Sequence, residues 1–332
     1  MKLPRIDYLE AKTLPEACAL LAQGDVLACA GGTDLVPAMK HRVKAPRAVV
    51  NLKAIGGLDY ISYSEKDGLR IGALATLRDL QNNKSVQQKY PALVQSAAMV
   101  GTIQLQNMGT VAGNLCLDTR CYYYNQSSFW RSARPACYKA GGEVCHVVKR
   151  SDHCWACYSG DTAPAFMVLG AKVKVVGSKG ERVIALKQLY SGDGQKPIAL
   201  AADELVAEIQ VPARAAGSGS GYTKLRIRKA IDLPLMGAAV WLQLEGKAGV
   251  VKDIRVALTA ADSAPIEVPG AAKSIQGKPY SEENLAEVME ASYKKARPVD
   301  CVIGGSPPYR KKMARVFVKR AANLAYQQAQ AK

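Results

Sequence analysis

The order of apolar and polar positions along the chain predicts short strands interspersed with helices. Apolar runs that end at glycine or at polar turns indicate strands, whereas apolar residues that recur every three or four positions indicate helices. Strands are predicted at 26–30, 48–52, 69–73, 171–176, 205–211, 222–228, 238–244 and 254–260. Helices are predicted at 76–82, 91–100, 163–169, 281–295 and 307–327. The pattern indicates an α+β protein.

Two segments show neither the pattern of a strand nor that of a helix. Residues 215–221 read Ala-Ala-Gly-Ser-Gly-Ser-Gly and predict a linker, because glycine and serine favour flexible connections. Residues 101–114 are rich in small side chains and amides, and we predict a loop that wraps a polar ligand.

The composition of the chain indicates its compartment and its classes of partner. The 332 residues contain no apolar run of the ~18–20 residues that span a bilayer, and the N-terminus has no apolar signal core. We therefore expect a cytoplasmic protein without a membrane partner. The net charge of +17 comes partly from 294–332, which we interpret as ending in an amphipathic surface helix with a basic face. No nucleic-acid-binding motif accompanies the charge, so we expect no nucleic acid partner.

The first candidate site is the run of residues after the strand at 26–30. Adjacent glycines lack Cβ atoms, so backbone N–H groups there can approach a phosphate closely. The same pattern also occurs in turns that bind nothing. Together with the segment 101–114, it could hold one pyrophosphate from two sides. The run consists of Ala30, Gly31, Gly32, Thr33, Asp34 and Leu35.

The second candidate site is a cluster of cysteines. Six of the nine cysteines lie within 42 residues, which also contain His146 and His153. In a reducing compartment such clusters favour metal or redox chemistry over disulfides. Thiolates predict an iron–sulfur cluster, and zinc bound with one of the histidines is an alternative. Cys154 and Cys157 form a Cys-x-x-Cys pair, the most closely spaced of the candidate ligands. The thiols could also be structural, because buried cysteine often behaves as a small hydrophobic residue. The six are Cys116, Cys121, Cys137, Cys145, Cys154 and Cys157; we expect Cys18, Cys29 and Cys301 to be packing residues.

Aromatic and basic residues crowd the same stretch. The aromatic side chains could shield a cluster from solvent or could simply form a small local core. The basic side chains could guide an acidic partner or could form a solvated face. The aromatic residues are Tyr122, Tyr123, Tyr124, Phe129, Trp130, Trp155 and Tyr158, and the basic ones are Arg120, Arg131, Arg134, Lys139, Lys149 and Arg150.

The motifs Ala-Gly-Gly-Thr-Asp-Leu and Gln-Leu-Gln-Asn-Met-Gly-Thr-Val-Ala-Gly-Asn-Leu resemble the flavin subunits of the xanthine oxidase family of molybdenum hydroxylases. Ser159–Ala165 and Lys224–Leu233 resemble later elements of that family. Gln106 and Ala112 depart from its usual arginine and glycine. The resemblance implies a two-subdomain FAD-binding fold of the vanillyl-alcohol oxidase type plus a C-terminal α/β domain. The domains would be 1–216, with subdomains of about 1–57 and 58–216, and 222–330.

The resemblance also implies the cofactor-binding residues. FAD would be bound non-covalently, and the chain would contribute no catalytic residue. The implied flavin-binding residues are Ala30, Gly31, Gly32, Thr33, Asp34, Leu35, Thr110, Gly113, Asn114, Asp161 and Lys224.

The cysteine-rich insert, about 116–158, resembles the branch that contains the β subunits of 4-hydroxybenzoyl-CoA reductases. It implies a [4Fe–4S] cluster held by Cys121, Cys137, Cys145 and Cys154. The chain would then be an electron-transfer subunit of an oxidoreductase, working beside a molybdopterin-containing large subunit and a [2Fe–2S] small subunit. Electrons would pass from ferredoxin towards the molybdenum subunit, which removes the phenolic hydroxyl of 4-hydroxybenzoyl-CoA. The alternatives are a hydroxylase flavin subunit that passes electrons outward and a basic zinc-binding interaction protein.

Overall fold

Three β-sheets, formed one after another along the chain, organise the protein. The computed structural model describes residues 3–246, 249–300 and 304–331. The strands are β1 (Asp7–Glu10), β2 (Val26–Cys29), β3 (Ala48–Asn51), β4 (Ile61–Ser64), β5 (Gly68–Gly72), β6 (Lys172–Gly177), β7 (Gly180–Ala185), β8 (Leu205–Val211), β9 (Ser218–Leu225), β10 (Met236–Glu245), β11 (Val250–Thr259) and β12 (Ile266–Glu267). The helices are α1 (Leu14–Leu21), α2 (Leu35–Lys40), α3 (Leu77–Asn82), α4 (Lys84–Lys89), α5 (Pro91–Ala98), α6 (Ile103–Met108), α7 (Val111–Leu115), α8 (Ser128–Ser132), α9 (Thr162–Val168), α10 (Ala271–Ile275), α11 (Glu282–Lys295) and α12 (Pro307–Gln330).

The first sheet is small and parallel, with strand order β1-β3-β2. Helix α1 packs against it, and Ala17 and Leu21 share a core with Val26 and Val50. Because β2 lies at one edge of this sheet, the segment that follows Cys29 leaves the sheet directly and is free to turn towards the second sheet.

The second and third sheets are antiparallel, with orders β4-β5-β8-β6-β7 and β12-β11-β10-β9. Helices α5 and α9 lie between them, and one continuous core joins Leu69 and Phe166 to Tyr222 and Ala257. The predicted α+β class with a separate C-terminal region is confirmed. We propose that the domains divide near residue 57 and between 216 and 222, where the chain passes from one sheet to the next.

The predicted linker at 215–221 is wrong in its second half. Residues from Ser218 onward form β9, which pairs with β10 and is buried under α12. A Cβ on Gly219 would lie 2.0 Å from the carbonyl oxygen of Ala325, and one on Gly221 would lie 2.5 Å from that of Ala321. These glycines therefore allow a helix to approach a strand closely, rather than making the chain flexible. The predicted strand 222–228 accordingly begins earlier and ends at Leu225.

The predicted loop at 101–114 is also wrong, since it contains two short helices, α6 and α7. The Thr102 hydroxyl accepts from the N–H of Leu105, and the Thr110 hydroxyl accepts from the N–H of Gly113. Threonine caps of this kind satisfy N–H groups at the start of a helix. Each helix is too short to show a period in the sequence.

The predicted C-terminal basic helix is α12, three residues longer than expected. Its buried side packs on β9 and β10 through Ala314, Phe317, Val318, Ala321, Ala322 and Ala325. Among the residues that the structure describes, no helix is long and apolar enough to cross a membrane. Cys18 is buried, with its thiol 3.6 Å from the Val176 carbonyl oxygen, and Cys29 is half-buried, whereas the prediction for Cys301 falls outside the described residues.

Candidate functional site

The two glycine-containing segments meet at a backbone contact. A Cβ on Gly31 would lie 2.0 Å from the carbonyl oxygen of Met108 and 3.0 Å from the Cα of Gly109. Gly32, next along the chain, has a φ of 69°, a conformation that strongly favours glycine. Glycine at these two positions therefore brings the end of α6 against the turn that follows β2.

Backbone N–H groups collect at this junction. Within the described ranges, the N–H groups of residues 31–34 donate to no other residue, and Ala30 and Leu35 flank them where β2 ends and α2 begins. The Thr110 hydroxyl is used as the cap of α7, while Gly113 on that helix is exposed. Unpaired N–H groups on a turn attract anions, so this junction suits a phosphate-bearing ligand.

Asp34 is engaged by the cysteine-rich insert. Its carboxylate forms an ion pair with the guanidinium of Arg120, and each side chain is about one-third exposed, 35% and 34%. Arg120 also exchanges backbone hydrogen bonds with Cys157 and directly precedes Cys121. The pair thus ties the turn after β2 to the insert, a link that sequence reasoning missed because 86 residues separate the two side chains.

Asn114 connects this junction to the segment that follows the insert. Its side-chain oxygen accepts from the backbone N–H of Thr162 at 3.1 Å and from the Thr162 hydroxyl at 2.6 Å. A Cβ on Gly160 would lie 2.8 Å from the Asn114 carbonyl oxygen. The Ser159 hydroxyl oxygen is buried without a hydrogen-bond partner among the described residues. Asn114 therefore holds α7 against the start of α9.

Asp161 and Lys224 form a buried ion pair between the second and third sheets. The Lys224 ammonium donates to Asp161 Oδ2 at 2.9 Å and to the carbonyl oxygens of Met99 and Asp232 at 2.8 Å each. The Tyr222 hydroxyl donates to Asp161 Oδ1 at 2.6 Å. Burial raises the pKa of Asp161, although Lys224 opposes this effect. Because the lysine has acceptors for all three protons, we interpret this pair mainly as a connection between domains.

The four predicted cluster ligands line one cavity in the insert. Cys121 and Cys154 are buried, and Cys137 and Cys145 are half-buried. Cys116 and Cys157 do not line it; the Cys157 thiol instead lies 3.5 Å from the Tyr158 carbonyl oxygen. The cavity thus includes Cys154 and leaves out its neighbour in the Cys-x-x-Cys pair.

The aromatic residues of the insert support the interpretation as a small local core. Tyr123, Tyr124 and Tyr138 pack around Cys121 and Cys154 and form a small local core. In contrast, Phe129 on α8 is 89% exposed and contributes nothing to that core.

Burial raises the pKa of the Cys154 thiol to about 11, so this thiol is protonated at neutral pH in the protein without metal. Metal binding would displace that proton, since the thiolate is the ligand.

Among the described residues, no group of three or more His, Cys, Asp or Glu side chains is placed to hold one metal ion. His146 Nε2 lies 2.8 Å from the Pro135 carbonyl oxygen, and His153 Nδ1 lies 2.7 Å from Asp152. This arrangement gives the zinc interpretation no support.

Lys139 is a further residue that sequence reasoning misplaced. The sequence predicts Lys139 on a solvated or docking face, but its side chain is only 3% exposed and lines the cysteine cavity. Its position two residues after Cys137 was the only available signal. Arg120, paired with Asp34, is likewise not simply part of a solvated face.

Comparison with known proteins identifies the two parts of the chain that flank residue 216. The family model described as the FAD-binding domain in molybdopterin dehydrogenase matches residues 4–214, and that of the CO dehydrogenase flavoprotein C-terminal domain matches 220–325.

Individual relatives match two thirds of the chain or more. The carbon monoxide dehydrogenase medium chain of Hydrogenophaga pseudoflava is 28% identical over 326 residues, 97% of this chain and 98% of that one. The aldehyde oxidoreductase FAD-binding subunit PaoB of Escherichia coli K12 is 31% identical over 235 residues, 67% of this chain and 72% of that one. A solved carbon monoxide dehydrogenase from Hydrogenophaga pseudoflava, which lacks the Mo-pyranopterin moiety, superimposes with a TM-score of 0.80 at 26% identity and covers 99% of both chains.

Proposed function

This chain belongs to the FAD-binding medium subunits of the molybdenum hydroxylase family, and from this premise we propose that it carries both FAD and a [4Fe–4S] cluster in a reductase resembling 4-hydroxybenzoyl-CoA reductase. The observation that carries the proposal is the single cavity lined by Cys121, Cys137, Cys145 and Cys154. Four thiols around one space provide the ligand number and type of a four-iron cluster.

The flavin part rests on the junction of the two glycine-containing segments. Residues 31–34 would hold the FAD pyrophosphate through backbone N–H groups, because those groups have no acceptor among the described residues. The α7 helix, with Thr110, Gly113 and Asn114, would line the other side. Asp161 and Lys224 would support this site by fixing the third sheet against it, rather than through free polar groups. When bound, the two cofactors supply electron storage and transfer.

The proposed complex follows from the family, whose members are named as medium chains or FAD-binding subunits. We propose that a molybdopterin-containing large subunit and a [2Fe–2S] small subunit complete the enzyme, and that the substrate is converted in the large subunit. Ferredoxin would donate electrons at the insert, which presents the exposed Arg134 over the rings of Tyr123 and Trp130. Electrons would then pass to the molybdenum subunit, where 4-hydroxybenzoyl-CoA loses its phenolic hydroxyl group. A reducing, cytoplasmic location is part of the same proposal, since the ligands are free thiols.

A second candidate is a hydroxylase subunit that passes electrons outward. It is favoured by the names of the relatives, which are dehydrogenases and oxidoreductases such as the nicotinate dehydrogenase FAD-subunit of Eubacterium barkeri. The insert discriminates between the two, because a flavin subunit that delivers electrons to an ordinary acceptor has no need of a second cofactor.

The test begins with the native complex, purified without oxygen. One FAD and four additional iron atoms per copy of this chain would support the proposal, and flavin without the additional iron would contradict the cluster. Cys145→Ser provides the cluster-free complex, with Cys116→Ala as the matched cysteine control. Stopped-flow mixing with reduced ferredoxin should then reduce the flavin slowly in Cys145→Ser and rapidly in Cys116→Ala. Equal rates would exclude the insert as the point of electron entry and favour the second candidate.

A further inference from the structure

Lys139 is a buried cation in the wall of the cysteine cavity. Its side chain is 3% exposed, although most lysines keep the ammonium group in water. The residue follows Cys137 closely and lines the same space as the four predicted ligands. A charge placed there acts through protein rather than through bulk water, so salt screens it weakly.

The ammonium group of Lys139 is fixed in position. It donates to Asp118 Oδ1 at 2.7 Å, to the carbonyl oxygen of Gly194 at 2.8 Å and to that of Thr119 at 3.3 Å, and it also bonds the Thr119 hydroxyl. Its acceptors lie on two segments, 118–119 and the turn at 194. The lysine therefore cannot swing away from the cavity without losing several hydrogen bonds at once.

The positive charge is only partly neutralised. Asp118 is shared, because its second carboxylate oxygen pairs with Lys44 at 3.1 Å. Burial alone would raise the pKa of Asp118, but Lys139 and Lys44 outweigh it and lower the pKa. One further carboxylate faces the cavity wall: Asp193 Oδ1 accepts from the N–H of Cys154 at 3.3 Å. His146 also lines the cavity.

We propose that Lys139 sets the reduction potential of the cluster that the proposed function places in this cavity. The inference rests on that function. Reduction adds one electron to the cluster, and a nearby fixed positive charge stabilises the more negative, reduced state. Charges and hydrogen bonds around an iron–sulfur cluster are known to set its potential. Lys139 thereby makes the cluster easier to reduce, while Asp118 moderates the effect.

A purely structural role for Lys139 makes a different prediction. Were the lysine needed only to join Asp118, Thr119 and Gly194, its replacement would alter cluster content or stability and leave the potential of any assembled cluster unchanged. The two roles are therefore separated by a measured potential and not by activity.

The experiment is a redox titration of the native complex with dithionite as reductant, monitored through the EPR signal of the four-iron cluster. The variants are Lys139→Met, Lys139→Arg and Asp118→Asn. Lys149→Met is the matched control, because Lys149 belongs to the same insert and is exposed. We expect the midpoint to move to more negative potential in Lys139→Met and to more positive potential in Asp118→Asn. The midpoint potentials of Lys139→Arg and Lys149→Met should stay close to that of the unaltered complex.

The outcomes are decisive in each case. A Lys139→Met complex with an intact four-iron signal and the same midpoint as Lys149→Met overturns the inference. If Lys139→Met assembles no cluster, Asp118→Asn decides, and an unchanged midpoint there overturns the inference as well. An unaltered complex without the four-iron signal overturns the cluster proposal itself, and this inference with it.

Discussion

The two candidate cofactor sites of this chain are built in opposite ways. The candidate flavin site, here called the flavin junction, lies where the two glycine-containing segments meet and is formed by backbone. The N–H groups of residues 31–34 are held in place by the contact of Gly31 with Met108. The cysteine cavity is lined by side chains, which include four thiols and a buried lysine. The first site is surrounded by sheets and helices with a continuous core. The second lies in a long insert with one short α-helix, one short 3-10 helix and a local aromatic core.

The difference determines what each site tolerates. A backbone site depends on the absence of Cβ atoms, so it is sensitive to added atoms and insensitive to most side-chain chemistry. A thiol site depends on individual sulfur atoms, so it is sensitive to replacement of single residues and needs little from the backbone around them. Asp34 and Arg120 connect the two sites. Each prediction below tests one part of this comparison, beginning with the largest expected effect.

Replacement of single ligands should abolish the cluster completely. Cys121→Ser, Cys137→Ser, Cys145→Ser and Cys154→Ser should each lose the four-iron signal, because each iron of the cluster requires one thiolate. Cys157→Ser should retain it, since Cys157 does not line the cavity. Iron content and EPR of each variant give the result. Loss of the signal in Cys157→Ser together with its retention in Cys145→Ser would show that the ligand set is wrong.

Addition of one methyl group should empty the flavin junction. Gly31→Ala would place a Cβ 2.0 Å from the Met108 carbonyl oxygen, so the two segments must separate. We expect loss of most FAD, measured as flavin absorbance per folded chain, with the cluster retained. Gly56→Ala is the matched control, because a Cβ there has no heavy atom within 4 Å and the φ angle is not positive. Full flavin content in a folded Gly31→Ala protein would exclude this placement of the pyrophosphate.

The same contrast explains which features could be predicted from sequence. Residue types carry the chemistry of the thiol site, so the cysteine cluster predicted a metal site in this stretch. The choice of Cys121, Cys137, Cys145 and Cys154 among the six cysteines came only from the family resemblance. Local sequence could not show the backbone contacts. The glycines at 219 and 221 suggested a linker, yet they admit α12 against β9, and only the position of a helix a hundred residues away explains them.

Charged residues were the least predictable feature. Lys139 and Lys149 look alike in the sequence, and one is buried while the other is exposed. Their difference arises from acceptors at Thr119 and Gly194, which folding brings from separate segments. Pairing of Lys224 with Asp161 depends in the same way on the packing of two sheets.

Disruption of that buried pair should destabilise the scaffold shared by both sites. Lys224→Met leaves the Asp161 carboxylate buried without its cation. Removing one partner of a buried ion pair lowers the free energy of unfolding by about 3–5 kcal/mol. We expect a lower urea midpoint of unfolding. Lys149→Met, an exposed lysine, should change the midpoint little. An unchanged midpoint in Lys224→Met would show that the pair does not hold the domains together.

The pH dependence of the same variant has a definite sign. Burial raises the pKa of Asp161 in the folded protein, and removal of Lys224 should raise it further. Between the unfolded pKa of about 3.9 and the raised folded pKa, the folded state binds more protons than the unfolded state. Stability should therefore fall as pH rises through this window, and the deficit of Lys224→Met should be smaller at about pH 5 than at about pH 8. A deficit independent of pH would exclude Asp161 as its cause.

Breaking the ion pair between Asp34 and Arg120, which connects the two sites, should have the smallest effect on FAD affinity. Asp34 and Arg120 are each about one-third exposed, so water screens the pair, and exposed ion pairs contribute about 0.2–1 kcal/mol. A double-mutant cycle with Asp34→Asn and Arg120→Gln measures that coupling in FAD affinity, where 1.4 kcal/mol would correspond to tenfold. We expect a coupling below about fivefold, with flavin and iron both retained in each variant. A coupling of a hundredfold or more would mean that the insert controls flavin binding through this pair, and the two sites would then have to be treated as one.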